Sequence, residues 1–121
     1  MKPVRVVLSP DAEAAYQFLE ARADVSKAER SIFNSVRLKS GLIKATPHYG
    51  EPIAKNLIPR EYALKYGVRN LFWVGLANYW RMLYTLTNND SQTEIVAFVL
   101  DISSHEDYDK RMGYKKDRMR K

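Results

Sequence analysis

Arg81 is the residue whose type and position most clearly suggest chemistry. It lies in the stretch YWRMLYTLT, residues 79–87, which is rich in the aromatic and branched residues that favour β-strands. Alternation along this strand places Trp80 and Met82 on an apolar face and Arg81 on the other. A guanidinium there can bind phosphate, because its planar fork matches phosphate geometry and stays charged. The alternative, which the pattern alone favours, is a solvent-facing arginine paired with Glu94 across the hairpin.

Two residues near the end of the chain can handle protons. His105 follows the last predicted strand, and loops at strand ends often carry function on a rigid scaffold. Histidine suits general acid or base work because it titrates near neutral pH. Tyr108 lies three residues on, on the same helical face. The alternatives are a polar first-turn residue for His105 and packing against the sheet for Tyr108.

Other kinds of catalytic site are not indicated. The sequence has no glycine-rich phosphate loop, no H-E-x-x-H motif and no G-x-S-x-G motif. It has no cysteine, and its two histidines, His48 and His105, lack the partners that a metal site needs. We therefore expect no metal centre, no cofactor and no disulfide.

The charge balance suggests an anionic partner. Twenty Lys and Arg against fourteen Asp and Glu give a net charge of +6 on 121 residues, a length typical of one domain. Arg60, Lys65 and Arg69 cluster beside the predicted strands, although a solvated basic surface explains them equally well. Much of the excess charge follows Arg111, where a disordered arm would account for it.

The hydropathy pattern argues against a membrane protein. No apolar run approaches the ~20 residues of a spanning helix. Residues 1–15 contain a short apolar run that meets acidic residues at once, which is a poor signal peptide. We therefore expect a cytoplasmic protein with no membrane association.

The first half of the chain predicts a strand and two helices. Residues 2–8 alternate as a strand, and Ser9-Pro10-Asp11 has the residue types that begin a helix, here extending to about Ala23. A capping-box pattern, S-x-x-E at residues 26–29, begins a second helix. Gly41 is expected near its end, and one further turn through Ile43 is left open.

The second half predicts a connector, three strands and a short helix. Residues 46–59 contain three prolines and a glycine and predict a connector, and a short helix then ends at Gly67. Strands at residues 71–76, 79–87 and 94–101 form a meander. Ser104 begins a helix that Gly113 ends. The result is one α+β domain, residues 1–114, with a strand and helical hairpin packed on a twisted antiparallel sheet, a short C-terminal helix and a frayed basic tail at 115–121.

The strands YWRMLYTL and EIVAFVLDI and the closing segment HEDYDKRMGY, in this order, resemble the RelE/ParE superfamily of toxin–antitoxin toxins. The resemblance extends from Val4 to about Tyr114 and is strongest from Leu71 onward. It implies a RelE-like α+β fold. RelE-type members cleave ribosome-bound mRNA by activating the ribose 2′-hydroxyl, and ParE-type members poison DNA gyrase.

The resemblance also implies roles for particular residues. Arg81 matches the strand arginine that contacts the scissile phosphate, His105 falls where an arginine or histidine follows the last strand, and Tyr108 lies near a C-terminal aromatic residue. The strand FWVGL, residues 72–76, lacks the lysines that RelE carries there. Other cations would then position the RNA, namely Lys55, Arg60, Lys65, Arg69, Lys110 and Arg111.

The function expected from this resemblance is ribosome-dependent mRNA cleavage that inhibits translation. The partners are ribosome-bound mRNA and a cognate antitoxin, acidic in its binding segment, that covers the helices and the basic face. Three alternatives remain: a gyrase inhibitor, an attenuated relative that only binds, and an interaction protein unrelated to toxins.

Overall fold

The computed structural model describes residues 2–113. The predicted tail at 115–121, and Tyr114 at the predicted domain boundary, lie outside the described residues. The predicted order of elements is present, with a two-residue strand added in the connector. In chain order the elements are β1 (Val4–Leu8), α1 (Pro10–Arg22), α2 (Lys27–Ala45), β2 (Glu51–Pro52), α3 (Arg60–Tyr66), β3 (Phe72–Gly75), β4 (Arg81–Asn88), β5 (Ile95–Ser103) and α4 (His105–Met112).

The five strands form one mixed sheet in the order β1-β5-β4-β3-β2. Strands β3, β4 and β5 are antiparallel neighbours, as the meander predicts, and β2 adds a further antiparallel partner to β3. The prediction of an antiparallel sheet is wrong at one edge, because β1 pairs with β5 in parallel. A parallel pair needs a long crossover connection, and here everything between β1 and β5 serves as that connection. Because the two strands are far apart in the sequence, no local pattern indicates that β1 and β5 pair.

Serine caps fix the two long helices. The Ser9 hydroxyl accepts a hydrogen bond from the Ala12 amide at 3.1 Å and donates one to the Leu100 carbonyl at 2.8 Å, so it joins α1 to the sheet. The Ser26 hydroxyl accepts from the Glu29 amide at 3.2 Å. Helix α2 continues past Gly41 to Ala45. An interior glycine costs about 1 kcal/mol, and burial of Ile43 in the core offsets that cost.

Both faces of the sheet are covered, each by different elements. The helical hairpin α1–α2 packs on the first face, as predicted, over a core that includes Met82, Tyr84 and Val99. The later part of the connector, with Ile53 and Ile58, packs on the second face together with α3 and α4, over a core that includes Leu83 and Leu100. Alternation along β4 therefore places Arg81 on the second face. Among residues 2–113, no helix is both long enough and apolar enough to cross a bilayer.

Tyr84 on β4 forms hydrogen bonds that hold the start of the connector, residues 47–50, against the sheet. Its side chain is fully buried, and its hydroxyl donates to the Pro47 carbonyl at 2.7 Å and accepts from the Gly50 amide at 2.9 Å. A Cβ at Gly50 would lie 2.9 Å from the Tyr84 ring, so this close approach requires glycine. The turn before β2 is therefore held by one tyrosine.

Tyr84→Phe should lower the free energy of unfolding by about 1–3 kcal/mol, because it leaves the buried Gly50 amide and the partly buried Pro47 carbonyl without their partner. Urea unfolding measures the loss. Tyr49→Phe is the matched control, since the Tyr49 hydroxyl is bonded at the surface to Lys39, and its effect should stay within about 0.5 kcal/mol. Equal effects for the two variants would contradict this account.

Candidate functional site

Arg81 lies between two aromatic rings on the second face of the sheet. Its guanidinium carbon is 4.8 Å from the centre of the Trp73 ring and 5.6 Å from the centre of the Tyr108 ring. The residue is partly exposed. When an arginine stacks on aromatic rings, the N–H groups at the edge of its guanidinium plane can still donate hydrogen bonds to an acceptor. The two ring contacts thus restrict the arginine side chain, which remains partly exposed.

Strand register explains how the two rings meet Arg81. Gly75 lies directly opposite Arg81 on β3 and has no side chain, so the guanidinium can reach across to Trp73 two positions away. On the other side Arg81 is paired with Ser103, the last residue of β5. Helix α4 begins two residues later and brings Tyr108 back over the sheet.

The structure places Tyr108 and His105 on α4 in different environments. Tyr108 is buried, 6% exposed, and contacts the arginine through its ring. The His105 side chain is 53% exposed, and its Nε2 lies 3.3 Å from Oδ2 of Asp109. Since His105 follows Ser103 by two residues, their Cα atoms are at most ~7 Å apart. His105 is therefore suited to moving a proton with Asp109 as orienter, and Tyr108 to holding the arginine.

Four of the predicted RNA-binding cations belong to the layer over the second face. All four, Lys55, Arg60, Lys65 and Arg69, are exposed. Lys55 and Arg69 line one shallow pocket of about 270 Å³. Lys65 lies over the Tyr66 ring, with Nζ 5.2 Å from its centre. These cations share a face with Arg81, as an anionic strand crossing that face would require.

Lys110 and Arg111 lie elsewhere, in the cleft between α1 and α4. This pocket of about 520 Å³ is the largest described, and its lining includes both cations but not Arg81. Three carboxylates, from Glu61, Asp101 and Asp107, also line it. The carboxylates outnumber the cations, so this cleft does not suit a phosphate.

Arg111 forms ion pairs within the protein. Its Nε lies 3.1 Å from Oδ2 of Asp101, without the alignment of a hydrogen bond, and its NH1 donates to Glu61 at 2.9 Å. Burial raises the pKa of Asp101, and the charge of Arg111 opposes that rise. Burial and then the charge of Asp101 raise the pKa of the Tyr62 hydroxyl, and the charge of Arg111 opposes that rise. Arg111 mainly balances a buried carboxylate.

Two features of the site were not predicted from the sequence. The contact of Trp73 with Arg81 was missed, although the alternation of Trp73 and Gly75 on β3 was a usable signal. The alternative pairing of Arg81 with Glu94 is wrong, because Arg81 lies opposite Ser103 and Glu94 precedes β5 at its other end. Glu94 instead accepts a hydrogen bond from Arg5 at 2.9 Å.

Comparison of the chain with protein-family models, with curated proteins and with solved structures gives no match. Within residues 2–113, no group of three or more His, Asp and Glu side chains is arranged to hold a metal ion. The site is therefore interpreted from its own geometry. Its centre is a cation held between two rings. An exposed histidine begins α4, and four exposed lysines and arginines belong to the layer over the same face of the sheet.

Proposed function

We propose that this protein is a RelE-like, ribosome-dependent mRNA endoribonuclease in which Arg81 holds the scissile phosphate. The observation that carries the proposal is the position of Arg81 between Trp73 and Tyr108, partly exposed on the face that also presents Lys55, Arg60, Lys65 and Arg69. An oriented guanidinium stabilises the negative charge that develops on phosphorus substituents during strand cleavage. Cations along the same face contact phosphates and set the path of the strand.

In the proposed reaction the ribose 2′-oxygen attacks the adjacent phosphorus and the 5′-oxygen of the next nucleotide leaves. The 2′-hydroxyl proton passes to a base, the leaving oxygen gains a proton, and the first product ends in a cyclic phosphate. His105 is exposed and paired with Asp109, so it can carry out one of these proton transfers. Arg81 stabilises the pentavalent intermediate, and Tyr108 keeps Arg81 oriented.

A second candidate is an RNA-binding relative without cleavage activity. Strand β3 carries no lysine from Phe72 to Gly75, and the Tyr108 ring is buried. Binding needs only the cations of the second face, whereas cleavage also needs a proton carrier beside the phosphate. This candidate predicts ribosome or RNA binding with intact mRNA.

The antitoxin partner also remains a proposal. Three large apolar side chains are exposed on the helical hairpin and its turn: Phe18 at 50%, Val25 at 73% and Leu38 at 61%. Exposed apolar groups on helices suit docking of an amphipathic segment. An acidic segment of this kind would also be attracted by the basic face, and its binding should stop cleavage.

The deciding experiment mixes the purified protein with bacterial ribosomes programmed with a reporter mRNA and maps mRNA ends by primer extension. We expect new ends only when ribosomes are present. Intact mRNA together with retained ribosome binding would favour the second candidate. Intact mRNA with inhibited DNA supercoiling in a parallel gyrase assay would favour a ParE-like activity instead.

His105→Gln should lower the cleavage rate by up to about 100-fold, the low end of the range for general acid–base groups, because buffer can reach this exposed position. Single-turnover cleavage of ribosome-bound mRNA measures the rate. His48→Gln is the matched control, since His48 is also exposed but contacts Phe72 in the connector region. A rate unchanged by His105→Gln would remove His105 from the mechanism.

A further inference from the structure

A second concave site lies on the same face as Arg81, toward the other end of β4. This pocket of about 390 Å³, here called the Tyr66–Phe98 pocket, is lined by those two rings and by Arg69, Asn70, Thr85 and Thr87, among others. The ring centres are 5.1 Å apart with their planes at 71°. The volume lies within the range of small-ligand sites. At ~3.3 Å per residue, Thr85 lies about 13 Å along the strand from Arg81.

The wall of the pocket is held in place by Asn70. Its side-chain oxygen accepts hydrogen bonds from the Leu86 amide at 2.8 Å and the Thr85 hydroxyl at 3.0 Å, and its amide donates to the Leu86 carbonyl at 3.0 Å. Gly67 ends α3 in the left-handed conformation, with φ +66°, and turns the chain toward this contact. A pocket shaped before binding reduces the ordering cost of the ligand.

The rim of the pocket carries positive charge. Arg69 lines it, and Lys65 lies over the Tyr66 ring that forms one wall. Of the described residues that line the pocket, none is Asp or Glu. Aromatic walls with cations at the rim suit a flat ring that carries a nearby anionic group, which is the chemistry of a nucleotide.

We infer that the Tyr66–Phe98 pocket binds one unpaired base of the RNA strand whose phosphate Arg81 holds, with a neighbouring phosphate at Lys65 and Arg69. The inference rests on the proposed function for the identity of the strand. Both sites lie on the second face about 13 Å apart, a separation that a short oligonucleotide can span. The pocket then determines which base is preferred at a fixed distance from the cut.

The first test measures binding of a short RNA of about eight nucleotides, within the site sizes of single-strand binding proteins, by fluorescence anisotropy. All its riboses are 2′-O-methylated, which blocks cleavage. Tyr66→Leu and Arg69→Gln should each weaken binding about tenfold. Tyr49→Leu is the matched control, because Tyr49 is exposed and carries Lys39 over its ring at 5.4 Å. Equal affinity of all variants would overturn the inference, provided that circular dichroism shows each variant folded.

A second test removes one base at a time from the same RNA. We expect one abasic position to weaken binding to the parent protein and to have no effect on Tyr66→Leu. Equal losses at every position would overturn the base pocket. Full competition by a free mononucleotide at the affinity of the RNA would overturn the assignment to an RNA strand and indicate a free nucleotide. Single-position loss in a protein that cuts no mRNA would uphold the pocket while the cleavage proposal fails.

Discussion

Replacing Arg81 with alanine should lower the rate of cleavage of ribosome-bound mRNA by about 10²–10³-fold, the effect of removing one oriented donor from a developing oxyanion. The guanidinium is held by ring contacts to Trp73 at 4.8 Å and Tyr108 at 5.6 Å. Little free energy is therefore needed to orient it during the reaction. The rings remain packed in the variant, and the fold should persist. Primer extension under single-turnover conditions measures the cleavage rate, and thermal unfolding checks that the variant is folded.

Two further variants, a conservative substitution and a control, make this test more specific. Arg81→Lys keeps the charge but loses the planar fork and much of the stacking, so its rate should fall between those of the parent and the alanine variant. Arg37→Ala is the matched control, because Arg37 is exposed and lies 5.9 Å from the Phe33 ring on the helical side of the sheet. Loss of activity in Arg37→Ala, or full activity in Arg81→Ala, would refute the role of Arg81.

Arg111→Met should destabilise the protein by about 2–3 kcal/mol at neutral pH, because it leaves a buried carboxylate without its counter-charge. Asp101 is only 6% exposed. The Arg111 side chain is 28% exposed, and solvent screening keeps the effect below that of a fully buried pair. Methionine retains much of the apolar length over Tyr62. Urea unfolding measures the loss.

The destabilisation by Arg111→Met should depend on pH. The folded-state pKa of Asp101 is already raised above its ordinary value of 3.8, and loss of Arg111 raises it further. A carboxyl with a raised pKa stabilises the folded state fully below its unfolded pKa, and this contribution is lost as pH rises through the folded pKa. Parent and variant should therefore differ little below about pH 4 and differ most at neutral pH.

Lys110→Met supplies the control for this experiment, since Lys110 is exposed on the same helix and should change stability by less than about 0.5 kcal/mol. A loss in Arg111→Met that is equal at acidic and neutral pH would show that lost packing over Tyr62, rather than charge, is responsible. Arg111 would then have no electrostatic role at Asp101.

The ends of most helices were predicted well because caps and terminating glycines act through residues close by in the sequence. Ser9, Ser26 and Ser104 each accept a hydrogen bond from an amide of the first helical turn, as their positions predict. Gly67 and Gly113 both end helices with positive φ. Gly41 was expected near the end of α2 with one further turn left open, and the helix takes that turn and continues to Ala45; burial of Ile43 in the core, which the sequence does not show, favours the extension.

Long-range pairings were less predictable. Alternation placed Arg81 on the correct face of its strand, but the partners of a side chain depend on register, which pairs Arg81 with Gly75 and Ser103. The charge of Arg111 suggested RNA, whereas its ion pair with Asp101 depends on how α4 returns over β5. That return is set by packing of Tyr108 and Met112, and no spacing in the sequence reveals it.

The parallel pairing of β1 with β5 has a consequence for synthesis of the protein. The Ser9 hydroxyl and the Leu100 carbonyl to which it donates are 91 positions apart. Strand β1 therefore cannot pair until β5 has been synthesised. Contacts of such separation slow folding. A growing chain thus stays without its complete sheet, and without the Arg81–Tyr108 contact, until β5 and α4 have been synthesised.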